Sequence, residues 1–88
     1  MGKLNKKDKF FLEELGRRIV EIRKEKGLSQ VALGFKIDIE KPSMNRIEKG
    51  GTNPTILTLK KICDALGIEL QELFAGMDQP GAIEPPQS

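Results

Sequence analysis

Residues 28–50, LSQVALGFKIDIEKPSMNRIEKG, carry two short helical patterns separated by a break, and this pairing restricts the possible folds more than any other feature. Ser29 is suited to cap the first pattern, Gln30 follows it, and apolar residues recur at Val31, Leu33, Ile37 and Ile39. The break falls at Ile37-Asp38-Ile39. The second pattern sets Met44 and Ile47 on one face and Lys41, Ser43 and Arg46 on another, and Glu48-Lys49-Gly50 closes it.

The spacing elsewhere predicts three more helices, giving an all-α, compact five-helix domain. The longest pattern covers 8–26, with Phe11, Leu12, Leu15, Ile19 and Ile22 at three- and four-residue steps. Asp8 is its expected cap and Gly27 its stop. The two patterns of the opening stretch become helices over 30–37 and 41–49. Residues 50–54, Gly-Gly-Thr-Asn-Pro, read as a loop. Thr55 then caps a fourth helix in which Ile56, Leu59, Ile62, Cys63 and Leu66 form the buried stripe, stopped by Gly67. A short fifth helix is expected around 70–74. Lys-rich residues 1–7 read as a disordered basic N-terminus, and residues 76–88, with three prolines and two glycines, as a disordered tail. The folded domain is thus expected over 8–75.

Two short helices joined by a tight turn, the second with its polar face outward, form a helix-turn-helix able to lay that face in a DNA major groove. Eighty-eight residues allow one small domain with a marginal core, so the helices must pack well or the chain must pair with another copy. Net charge is only +2, but its distribution favours one side. Residues 1–27 hold nine Lys/Arg against five Asp/Glu, 28–53 four against three, and 54–88 two against five. The first two segments are therefore the expected phosphate-facing side.

Composition also narrows the chemistry. With no histidine and one cysteine, Cys63, zinc sites and His-based acid–base or nucleophilic schemes are excluded. Gly50-Gly51 is a turn without the rest of a phosphate loop. No enzymatic role, cofactor or metal is expected. The lone cysteine suits a reducing cytoplasm and reads as a packed core thiol. No stretch reads as a membrane span or a signal peptide, so a cytoplasmic protein is expected.

Leu15-Gly16-Arg17-Arg18-Ile19, Ile22-Arg23, Gly27-Leu28-Ser29-Gln30, Leu33, Ile47-Glu48-Lys49-Gly50, Asn53-Pro54, Leu59, Ile62 and Ala65-Leu66-Gly67-Ile68 stand in order and at the right spacing. In these positions the chain resembles the lambda-repressor-like, XRE/Cro-type helix-turn-helix regulators over roughly residues 14–74. The resemblance implies sequence-specific double-stranded DNA binding and transcriptional regulation, as a repressor or small controller protein. It assigns base reading to Lys41, Pro42, Ser43, Asn45 and Arg46. Arg46 and Lys41 suit guanine O6 and N7, and Asn45 suits adenine. Gln30 would contact phosphate, helped by its helix dipole, with Lys49, Thr52, Asn53 and Arg17 as further anchors and Arg18 adding to the basic face. Arg23 and Glu48 match positions that form a buried ion pair between helices one and three.

One helix reads too few base pairs for useful specificity, so a homodimer on a palindromic operator is expected, with half-sites about 34 Å apart. By the same resemblance Ile68, Leu70, Leu73 and Phe74 are dimer candidates, core packing being their alternative. Five residues depart from the family pattern, Phe35 among them, where a polar side chain is usual. Asp38 replaces a glycine between helices two and three, and Gly34 stands where alanine is usual. Glu40 occupies a cap usually given to Ser or Thr, and Pro42 replaces a polar residue. Phe35 is either a surface for a protein partner or packed under Phe10 or Phe11. The acidic residues, the proline and Phe35 also fit a rival class: an antitoxin-like or coactivator-like module that binds protein through the same fold.

Overall fold

The structure, a computed structural model, describes residues 4–77. Five helices follow in order: α1 (Lys6–Glu25), α2 (Gln30–Lys36), α3 (Lys41–Glu48), α4 (Ile56–Leu66) and α5 (Leu70–Ala75). No strand occurs among the described residues. α1 packs against α3 and α5, α2 against α3 and α4, and α4 against α5. Their apolar stripes meet in one core, where Ile19, Leu33, Met44, Ile62 and Leu73 are fully buried.

The first helix begins earlier than its hydrophobic pattern predicts. Asn5 caps it, accepting from the Asp8 N–H at 2.8 Å while the Asp8 carboxylate accepts from the Asn5 N–H at 3.2 Å. Asp8 is thus the far half of a reciprocal capping box and not the cap. Lys6 and Lys7 are helical, not part of a disordered terminus. The fold also runs past residue 75: Gly76 caps α5, and Met77 is buried against the core. The remaining terminal residues, 1–3 and 78–88, lie outside the described residues.

α4 corrects another expectation. Leu59, Ile62, Cys63 and Leu66 are buried, but Ile56 is 66% exposed. It shares their helical rotation but is the first residue of the helix. At the other end of the core Phe11 stacks on Phe74, ring centroids 6.2 Å apart, closing α1 over α5.

Two backbone features hold α3 in place. Gly16 in α1 lies directly against the end of α3: a Cβ there would collide with the Glu48 carbonyl oxygen, so only glycine allows the two helices this approach. Gly50 follows α3 at φ 76°, and its N–H bonds the Ile47 carbonyl while the Gly51 N–H bonds that of Arg46, the paired return of a Schellman motif.

Candidate nucleic-acid interface

The turn between α2 and α3 uses the same C-terminal motif with an acidic residue in the glycine slot. The Ile39 N–H returns to the Gly34 carbonyl at 2.8 Å, and Asp38 takes the left-handed conformation at φ 60°. Asp is among the few L-residues that enter this region at modest cost. Gly34 is required by the closeness of that return, since a Cβ would stand 2.5 Å from the Ile39 carbonyl oxygen. Ser29 caps α2 by accepting from the Ala32 N–H at 3.0 Å. Glu40 occupies the cap of α3 with no side-chain hydrogen bond, and Pro42 falls in its first turn, where no intrahelical N–H is needed.

α3 divides cleanly by rotation. Met44, Ile47 and Glu48 are buried, whereas Lys41, Pro42, Arg46 and Lys49 are exposed and Ser43 and Asn45 half-buried. Pro42, Arg46 and Lys49 form one outward stripe at four- and three-residue steps, with Lys41 and Asn45 beside it toward α2. Arg46 donates from Nη2 to Ser43 Oγ at 3.2 Å. Among the described residues none of Lys41, Arg46 and Lys49 is held in an ion pair. Ser43 and Arg46 also border a groove of about 440 Å³ that continues past Thr52 and Asn53 to the start of α4. Asp38 and Glu40 line its rim, so carboxylates stand beside the cationic stripe.

Beneath this surface Arg23 grips Glu48 from two nitrogens, at 2.7 and 3.1 Å, and donates its third bond to the Leu28 carbonyl at 2.8 Å. Both residues are buried. Gln30 joins the pair: its Nε2 donates to Glu48 Oε1 at 2.9 Å and to Asn45 Oδ1 at 3.4 Å. The side-chain donor expected to meet phosphate is therefore engaged inside the domain.

Other candidates lie elsewhere. Arg17 pairs with Glu14 at 3.0 Å and Glu21 at 3.7 Å and reaches the Gly76 carbonyl, which places it at the α1–α5 seam rather than with the α3 stripe. Arg18 caps the C-terminal end of α5, donating to the Glu72 and Leu73 carbonyls at 3.1 and 3.2 Å. That role was invisible in the sequence, because the partners lie more than fifty residues away. Of the dimer candidates, Leu73 is fully buried within the chain, while Ile68, Leu70 and Phe74 are half-buried. Phe35 is 87% exposed and so does not pack under Phe10 or Phe11.

Comparison with known proteins agrees with this geometry. The helix-turn-helix family profile HTH_3 matches residues 19–73. The control protein C.MunI from a Mycoplasma species is 37% identical over 65 residues, spanning 73% of this chain and 88% of the relative. Among solved structures, the restriction-modification controller C.AhdI from Aeromonas hydrophila superposes with a TM-score of 0.71 at 36% identity, covering 73% of this chain and 97% of that one. The controller C.Esp1396I, solved as a tetramer in complex with its natural 35 base-pair operator, gives a TM-score of 0.68 at 30% identity, covering 75% and 87%. These relatives are regulators rather than enzymes. The chain belongs to the HTH_3 helix-turn-helix family of transcriptional regulators.

Proposed function

We propose that this protein regulates transcription by binding duplex DNA sequence-specifically, as a homodimer on a palindromic operator, with α3 lying in the major groove of each half-site. One observation carries the reading. The exposed face of α3 presents Lys41, Arg46 and Lys49 without an ion-pair partner among the described residues, while the acidic residue of the same helix, Glu48, is buried against Arg23. In this reading Arg46 and Lys41 meet guanine edges, Ser43 and Asn45 add polar contacts, and Pro42 touches a thymine methyl or sugar. Lys49, Thr52 and Asn53 hold phosphates just beyond the helix. Gln30 and Arg17, whose donors are engaged within the chain, are left out of the phosphate set. Ile68, Leu70 and Phe74 remain for the dimer surface, and Leu73 belongs to the core.

The operator-bound tetramer of C.Esp1396I supports DNA binding by an assembly of such chains. The test is a fluorescence titration of labelled duplex at salt concentrations from about 50 to about 200 mM. Affinity should fall steeply, each cationic phosphate contact adding about −0.9 to the log–log slope. A second reading, a module that binds protein, is favoured by Phe35, which forms with Val31 an exposed apolar pair on α2. Absence of duplex binding even at low salt, together with a protein partner whose binding depends on α3, decides for that reading.

A further inference from the structure

The contacts of Gln30 run in one direction, and that direction fixes the chemistry that Asn45 offers. Two nitrogens of Arg23 donate to the two carboxylate oxygens of Glu48, which act as acceptors. Gln30 must therefore turn its amide nitrogen, not its oxygen, toward Glu48 Oε1, at 2.9 Å. The second hydrogen on the same nitrogen points at Asn45, whose near atom must then be its oxygen, at 3.4 Å. An amide is planar, so with Oδ1 turned to the α2–α3 seam the Asn45 Nδ2 is directed away from it. No described residue accepts a bond from Nδ2. A chain of constraints thus runs from the buried ion pair through Gln30 to the surface of α3.

We propose that Gln30 is a positioning residue for base reading, holding the Asn45 amide with its oxygen inward and its NH2 outward, so that Asn45 selects guanine over adenine. Guanine presents two adjacent acceptors, N7 and O6, in the major groove, which an outward NH2 matches. Adenine presents an acceptor and a donor and needs both ends of the asparagine amide, one of which Gln30 has taken. This reverses the adenine preference that asparagine alone suggests. It rests on the proposed DNA reading by α3.

Two measurements test it. In the free protein, hydrogen exchange of the side-chain amides by NMR should show the Gln30 NH2 protected and the Asn45 NH2 exchanging freely; the opposite order overturns the proposal. Second, duplexes are selected from a random pool by the wild-type chain, Asn45→Ala and Gln30→Met. The base position whose preference disappears in Asn45→Ala should favour guanine over adenine by about tenfold in the wild type. Gln30→Met should let adenine rise to near parity there while the preferences lost in Arg46→Ala stay unchanged. Adenine preferred by the wild type, or a Gln30→Met profile identical to wild type, overturns the assignment. A motif in which no position depends on Asn45 also overturns it, yet leaves base reading by α3 standing. Failure of the wild type to enrich any motif overturns that underlying reading as well.

Discussion

Arg23 on α1 and Glu48 on α3 meet in a two-point contact, Nε to Oε2 at 2.7 Å and Nη2 to Oε1 at 3.1 Å, with both side chains at most 10% exposed. Removing one partner leaves the other charge buried without a counterion. Glu48→Ala should therefore lower unfolding free energy by about 3–5 kcal/mol, read from urea denaturation. Arg23→Lys should also destabilise, because a point charge cannot make both bonds. A Glu48→Ala protein as stable as wild type would contradict the assigned role.

The rim of the interface can be improved. Glu40 caps α3 with no side-chain hydrogen bond and stands beside the cationic stripe. Glu40→Ser should add about 0.5–2 kcal/mol of stability through a proper cap and also tighten duplex binding by removing a negative charge. Asp38→Asn, which keeps a residue tolerant of the left-handed turn, should raise DNA affinity with little change in melting temperature. Unchanged affinity in both variants would place the DNA elsewhere.

Arg46 and Lys49 should separate by kind of effect. Arg46→Ala is expected to cost about 1–3 kcal/mol on the preferred sequence and to relax preference at one base position. Lys49→Ala should weaken all sequences alike and reduce the salt slope by about one. Competition titrations with matched and scrambled duplexes measure both. Identical profiles for the two variants would dissolve the distinction.

Cys63 gives an alkaline signature. Burial pushes its thiol above the ordinary value of 9.0, so the folded state keeps a proton that the unfolded chain releases. The associated stability is complete below about pH 9 and is lost as pH rises through the raised folded-state value. Urea midpoints between about pH 7 and pH 10 should thus fall more steeply for wild type than for Cys63→Ala, whatever the variant's starting stability. Parallel slopes would show that the thiol titrates normally.

The helices, their order and the helix-turn-helix were readable because each leaves a local mark: Ser29 and Thr55 as caps, glycines after α1, α3 and α4, apolar steps along α1. The Arg23–Glu48 pair was readable only through resemblance, since nothing local joins residues 25 apart. Gln30 shows the limit. Its position at the start of α2 suggests a phosphate anchor, and only the packing of α3 against α2 shows its amide committed to Glu48 and Asn45. The exposure of Ile56 and the partners of Arg18 were unreadable for the same reason, because cover by a distant element decides exposure and partner, and helical rotation does not encode it.

The most direct test of DNA reading by α3 is sequencing of the duplexes that the full chain retains from a random pool at physiological salt. Two-fold symmetric enrichment is expected, with half-site centres about one helical turn, roughly 34 Å, apart, and with the motif altered in Arg46→Ala. A retained pool with no enriched motif, or a motif that Lys41, Asn45 and Arg46 substitutions all leave unchanged, would contradict it.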